Sequence, residues 1–292
     1  MKGLGCNEQI VLNILCKRSN AQRQEIRRQF RTLFGQDLLK QLKSELKGDF
    51  GNTIIALMYT PPEYDAVELK KAMKGLGTDE AVLIEILTSR TNRELRDLIH
   101  AYQLQYGEEL EHAVRSETSG DFKNLLVSLC TANRDESIYV NVEKAKADAQ
   151  ALFDAGEKKL GTDESVFNMI IATQSPAQLN MVFTQYGKVS GHDINVAIER
   201  EFSSDIKTAY LSIIKCMRNR PAYFAEMLYN AMKGLGTDDN TLIRIIVSRS
   251  EIDLNLVKQE FYSIYKKSLE DFVKSETSGK YKDALLAIIR GN

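Results

Sequence analysis

The chain has 292 residues, a formal net charge of −1 and a sequence pI near 6.4. That length can bury a substantial core, and the near-neutral balance offers no bulk basic field to draw nucleic acid or bare anionic lipid. Cys6, Cys16, Cys130 and Cys216 lack CxxC spacing and read as reduced thiols of a cytosolic protein, while three histidines without HExxH argue against a zinc enzyme. No signal peptide is expected before the first turn, and no apolar run approaches the ~18 residues of a membrane span.

The first segment, residues 1–59, opens on Met1-Lys2-Gly3-Leu4-Gly5-Cys6-Asn7. Ile10, Val11, Ile14 and Leu15 then recur at helical spacing. Ser19 with Gln22 is a capping box, and its helix runs through Ile26, Phe30 and Leu33 to a stop near Gly35. A short helix over Leu38, Leu39 and Leu42 leads to Glu45, and another spans about Asp49 to Tyr59.

Residues 60–131 are the complete version. Thr60-Pro61-Pro62-Glu63 is a strong helix start, and that helix ends at the Gly75/Gly77 turn. Thr78 is expected to start the next, with Asp79 and Glu80 at its positive end. Thr91 and Glu94 cap a third helix, Glu108 begins a fourth, and Thr118 or Ser119 begins a fifth ending near Cys130. Each repeat is therefore five helices, A to E. The polar residues 132–145 form a connector before a third repeat at 146–217 and a fourth at 218–292, where Pro221 lies near the start of helix A. Helix C is expected to start at Ser175 with Gln178, and at Ser250 with Asp253. No segment alternates long enough to demand a strand, so the chain reads as all-α.

Two features recur across the four repeats. Met73-Lys74-Gly75-Leu76-Gly77-Thr78-Asp79 and Met232-Lys233-Gly234-Leu235-Gly236-Thr237-Asp238 are nearly one text, Met1–Asn7 resembles them, and Glu157-Lys158-Lys159-Leu160-Gly161-Thr162-Asp163 is a weaker copy. Starts lie 72, 84 and 75 residues apart. Counting 42 residues on from Gly3, Gly75, Lys159 and Gly234 lands on Glu45, Glu117, Glu201 and Glu276. Glycine reaches backbone angles that aim several carbonyls at one point. Carbonyls with one bidentate carboxylate are hard ligands suited to Ca²⁺; a shared packing role is the competing reading.

On these turns, the spaced glutamates and the twin Ser116-Glu117-Thr118-Ser119-Gly120 and Ser275-Glu276-Thr277-Ser278-Gly279 stretches, the whole chain resembles the annexin core. The resemblance implies four five-helix repeats, each a right-handed superhelix, packed into a curved disc with calcium loops on its convex face. The text begins inside the first A–B turn, so the first repeat is expected to be incomplete, lacking helix A, and tail-dependent protein partners are expected to be lost. Carried over, the ligand sets are Met73, Gly75 and Gly77 with Glu117, and Met232, Gly234 and Gly236 with Glu276. Gly156, Lys159, Gly161 and Glu201 form a third set, although Lys159 stands where the others have glycine and Phe202-Ser203-Ser204 replaces Thr-Ser-Gly. Met1, Gly3, Gly5 and Glu45 form the fourth, with Cys6 where the pattern has threonine.

The implied function is reversible, calcium-dependent binding to acidic phospholipid membranes, as a cytoplasmic scaffold that becomes peripheral when calcium rises. Lateral self-association on the membrane is compatible with it. The apical Leu4, Leu76, Leu160 and Leu235 are candidates to enter the interfacial layer. The family's buried polar cluster matches Asp65, Glu85, Arg90, Arg244 and Arg249. The alternative is a structural or partner-binding core with degenerate calcium sites. No repeated nucleophile–base arrangement supports an enzyme.

Overall fold

A computed structural model describes residues 6–75 and 77–291. The expected ligands Met1, Gly3 and Gly5, and the apical Leu4 and Leu76, lie outside the described residues. Nineteen helices and no strand occur among the described residues. The first repeat contributes α1 (Glu8–Leu15), α2 (Asn20–Phe34), α3 (Leu38–Glu45) and α4 (Gly48–Leu57). The second contributes α5 (Pro61–Ala72), α6 (Glu80–Ser89), α7 (Asn92–Tyr106), α8 (Leu110–Glu117) and α9 (Gly120–Cys130). The third is α10 (Val142–Ala155), α11 (Glu164–Thr173), α12 (Pro176–Ser190), α13 (Ile194–Glu201) and α14 (Ser204–Arg218). The fourth is α15 (Arg220–Met232), α16 (Asp239–Arg249), α17 (Leu254–Tyr265), α18 (Leu269–Glu276) and α19 (Gly279–Arg290).

Local chemistry sets most of these boundaries. Ser19 with Gln22 and Thr91 with Glu94 form reciprocal capping boxes, and Gly35, Gly107 and Gly191 end α2, α7 and α12 in the left-handed region. Ser175 also caps α12, but Gln178 turns its side chain to the Asn141 backbone instead of closing a box.

Ser250 does not cap helix C of the fourth repeat. There α16 runs through Arg249, Ser250 continues it in right-handed geometry, and α17 starts only at Leu254. The cause is the fully buried Arg249, whose Nε donates to Asp253 Oδ1 at 2.7 Å while its guanidinium lies 4.8 Å from the centre of the Phe224 ring. A buried guanidinium without a carboxylate costs several kcal/mol (~3–5), more than the ~1 kcal/mol of a cap. The acid therefore serves the arginine.

The chain divides into two compact units, one of Met1–Tyr64 with Pro221–Asn292, the other of Asp65–Arg220. In the second unit, helices B and E of both repeats (α6, α9, α11 and α14) form the interior. Leu83, Ile86, Leu125, Leu126, Ile171, Ile213 and Ile214 are wholly buried there, on the apolar faces these helices turn inward. In the first unit α4 packs against α16 and α19, and Ala56, Tyr64 and Ile243 form a buried cluster.

One charged pair is set into the second unit's interior. Arg90, at the end of α6, grips Asp65 of α5 through two bonds, Nε to Oδ2 at 2.7 Å and Nη2 to Oδ1 at 2.8 Å. Burial works against the Arg90 charge, but Asp65 more than offsets it and holds the guanidinium above its ordinary pKa. In the third repeat Gln174 takes the arginine's place and donates to Asp148 of α10 at 2.8 Å. Glu85 is also fully buried, in the middle of α6. All four cysteines are free, and Cys16, Cys130 and Cys216 are buried.

Candidate metal centres

Each candidate centre starts from the corner between helices A and B. In the second repeat Gly75 and Gly77 sit at φ +116° and +93°, and in the fourth Gly234 and Gly236 sit at +108° and +90°. An added Cβ at any of the four would meet nothing within 4 Å, so the need for glycine here is conformational rather than spatial. The corners are closed by one recurrent bond: Asp79 N–H to Ala72 O at 2.8 Å, Asp163 N–H to Ala155 O at 2.8 Å, Asp238 N–H to Ala231 O at 2.7 Å. Among the described residues no backbone N–H outside the helices donates to the carbonyls of Met73, Gly75, Gly77, Met232, Gly234 or Gly236. Those oxygens remain available for an outside partner.

Thr78 does not start helix B. Asp79 caps α6 by accepting from Val82 N–H, and Asp238 caps α16 in the same way through Thr241 N–H. The threonine is thereby released to tie the two corners of its repeat together. Thr78 Oγ1 donates to the Glu117 carbonyl at 3.1 Å, and Thr237 Oγ1 to the Glu276 carbonyl at 3.4 Å. In the third repeat Thr162 Oγ1 reaches the Glu201 carboxylate itself, Oε2 at 2.9 Å.

The acids have a common position. Glu45, Glu117, Glu201 and Glu276 are the last residues of α3, α8, α13 and α18. The chain then turns through a left-handed residue at the start of helix E: Gly48, Gly120, Ser204 and Gly279, with φ between 52° and 62°. Ser204 thus keeps the bend without a glycine. Phe202 beside it is buried, its ring 4.9 Å from those of Phe167 and Tyr210.

The corners are not equivalent. In the third repeat the Gly156 carbonyl already accepts from Lys159 N–H at 3.0 Å, leaving one lone pair for any further contact. A Cβ on Gly156 would lie 3.2 Å from the Phe167 ring and 3.6 Å from Glu201 Cγ, so the D–E acid packs on this turn. In the first repeat only Glu45 of the expected set is described. Partial burial raises the pKa of the Cys6 thiol, and Glu45 is among the charges that act on it. Leu160 and Leu235 stand fully clear of the protein at 104% and 110% relative exposure, not tucked against their helices.

The threonine link escaped the sequence reading, yet its signal was present. Thr78, Thr162 and Thr237 lie 39 residues before Glu117, Glu201 and Glu276, and Cys6 lies 39 before Glu45. Among the described residues no group of three or more His, Cys, Asp or Glu side chains could hold a metal. A donor set at these corners is therefore peptide oxygen plus one carboxylate, a hard-oxygen set that fits calcium in kind.

The annexin family model matches residues 1–57, 64–129, 147–213 and 223–288. The chain belongs to the annexin family. It is 50% identical over 289 residues to annexin A7 of Homo sapiens, covering 99% of this chain and 59% of that protein. This annexin thus spans about three-fifths of the length of that relative. Annexin A4 of Bos taurus is 50% identical over 292 residues, covering 100% of this chain and 92% of its own. Among solved structures, that of annexin III superposes with a TM-score of 0.97 at 45% identity, covering 100% of this chain and 90% of that one. A calcium-bound annexin (Sm)1 superposes with a TM-score of 0.85 at 35% identity, covering 99% and 86%. Annexins are a calcium- and phospholipid-binding family, and among the described residues no helix is long and apolar enough to cross a membrane.

Proposed function

We propose that this chain binds acidic phospholipid membranes reversibly and in a calcium-dependent manner, through ions shared between the A–B and D–E corners. The observation that carries this is the threonine link at the corners of the second and fourth repeats. It fixes the terminal glutamate of helix D beside a turn whose glycine carbonyls have no backbone donor among the described residues. The sets are Met73, Gly75 and Gly77 with Glu117, and Met232, Gly234 and Gly236 with Glu276. Gly156, Lys159, Gly161 and Glu201 form a third, and Glu45 with the Met1, Gly3 and Gly5 carbonyls a fourth.

Calcium at such a corner supplies a positive charge with ligand positions to spare, because three carbonyls and one carboxylate fall short of its usual 6–8 oxygens. A lipid phosphate oxygen completes the shell, so ion and membrane raise each other's affinity. The full exposure of Leu160 and Leu235 supports their entry into the interfacial layer, and Lys74 and Lys233 add attraction to anionic headgroups of about 1 kcal/mol each. Weak sites on several repeats then combine through multivalency. The site lies on the cytosolic face of membranes, and the chemistry contains no bond-breaking step.

The test is cosedimentation with phosphatidylserine vesicles, with calcium and with chelator. Pelleting in calcium alone is expected, together with its loss in a Glu117→Gln, Glu276→Gln double variant that still folds. Pelleting that ignores calcium, or survives the double substitution, would overturn the ligand assignment and leave a partner-binding helical core.

A further inference from the structure

The second unit has a cleft that the calcium corners do not use. It has a volume of about 520 Å³ and is lined by Thr88, Arg90, Thr91, Arg134, Glu136 and Arg220 among others. Three arginines and one glutamate line these walls; Arg90 is neutralised by Asp65, and Arg220 donates Nη1 to the Ser89 carbonyl at 3.2 Å. Two fifteen-residue helices, α7 and α12, begin at the rim, where Thr91 and Pro176 line it, so their positive ends add to the field.

Two donors in the cleft are left over. Thr88 is 3% exposed and its hydroxyl has no hydrogen-bond partner. Arg134 spends Nη1 on the carbonyls of Ile171 and Gln174, both at 2.9 Å, while its buried Nη2 has none. Burial pulls the Arg134 pKa down to about 10, against the opposing pull of Cys216 and Glu136, so its charge is poorly compensated. Orphaned buried donors are rare in folded proteins and call for an acceptor.

The first unit holds a smaller near copy, in which the buried Arg23 leaves only Nε without a partner. Asn20 N–H donates to Glu251 at 2.7 Å and Asn20 Nδ2 to the Tyr59 carbonyl, as Asn92 N–H donates to Glu136 at 2.8 Å and Asn92 Nδ2 to the Arg134 carbonyl. In that copy Arg23 pairs with Glu251 at 2.8 Å, and the adjoining cleft is only about 170 Å³. The same frame is thus narrow with a direct arginine–glutamate pair in one unit, and wider with Arg134 held only by carbonyls in the other.

We propose that the cleft of the second unit is a binding site for a small phosphate monoester, with Thr88 Oγ1 and Arg134 Nη2 donating to the phosphate oxygens and Arg220 supplying further charge. Its occupant is independent of calcium. A cleft of this volume admits a phosphate with a modest organic group.

The test uses the whole chain in EDTA at fixed ionic strength, with inorganic phosphate and glycerol phosphate in solution as one arm and phosphatidic-acid vesicles as the other. Thermal unfolding and calorimetry should show a saturable response with a millimolar or tighter dissociation constant. Thr88→Val keeps the side-chain volume and removes only the orphan hydroxyl, so it should fold as well as the parent and bind at least fivefold more weakly. Arg220→Gln should weaken binding similarly. A response in the soluble arm alone assigns free phosphates, whereas Thr88-dependent vesicle pelleting in EDTA assigns a lipid headgroup. No saturable response in either arm means the cleft holds water, and equal responses in parent and variants mean an adventitious ion only; either result overturns the proposal. Because calcium is absent throughout, failure here leaves the membrane reading untouched.

Discussion

Gly234→Ala isolates what the glycine pair contributes. At φ +108° the residue lies beyond the left-handed helical well, in a region that side chains with a Cβ rarely enter, and no neighbouring atom lies within 4 Å of the added methyl. The penalty is therefore backbone strain alone, about 1–3 kcal/mol. If the turn relaxes to avoid it, the binding-competent shape becomes a minor state. A gap of about 1.4 kcal/mol then lowers that corner's calcium affinity about tenfold. Urea unfolding in chelator reads the strain, and calcium titration of vesicle pelleting in a Glu117→Gln background reads the fourth repeat without the second. A variant that matches its parent in both stability and calcium requirement would refute the idea that glycine aims these carbonyls.

Leu235→Ala should leave stability unchanged, since the side chain is wholly exposed, while weakening vesicle binding several-fold, a part of the ~1.5–3 kcal/mol available from burying a leucine. Asp65→Ala strands the buried Arg90 and should cost about 3 kcal/mol in urea unfolding, whereas an Asp65→Leu, Arg90→Met pair should cost much less; equal losses would contradict the pairing. Ser204→Gly removes a side chain from φ +52° and should stabilise by up to about 1 kcal/mol, read as a raised denaturant midpoint. Burial raises the thiols of Cys16 and Cys130 to about 12. Their contribution is therefore complete below the unfolded thiol pKa and is lost as pH rises towards 12, so stability should fall from about pH 9 upward, and less steeply in Cys130→Ala.

What was legible in the chain was local or periodic. Ser19 with Gln22 and Thr91 with Glu94 act within one turn, so their boxes form as written. The glycine pairs announce positive φ because no other residue takes it cheaply, and the repeated text carries the register from one repeat to the next. What stayed hidden depends on partners distant in sequence or on competition for one side chain. Asp253 is taken by Arg249, which removes Ser250 as a cap. Gln178 leaves its box for the Asn141 backbone, and Gln174 meets Asp148 where Arg90 meets Asp65. The link from Thr78 to Glu117 crosses 39 residues and becomes visible only once both corners are in place.

The most direct measurement is a crystal of this chain grown or soaked in calcium. An ion bonded to the Gly234 and Gly236 carbonyls and both carboxylate oxygens of Glu276, with its counterpart at Gly75, Gly77 and Glu117, is the expected result. Fully soaked crystals in which those glutamates point into solvent and no ion lies between the corners would contradict the account.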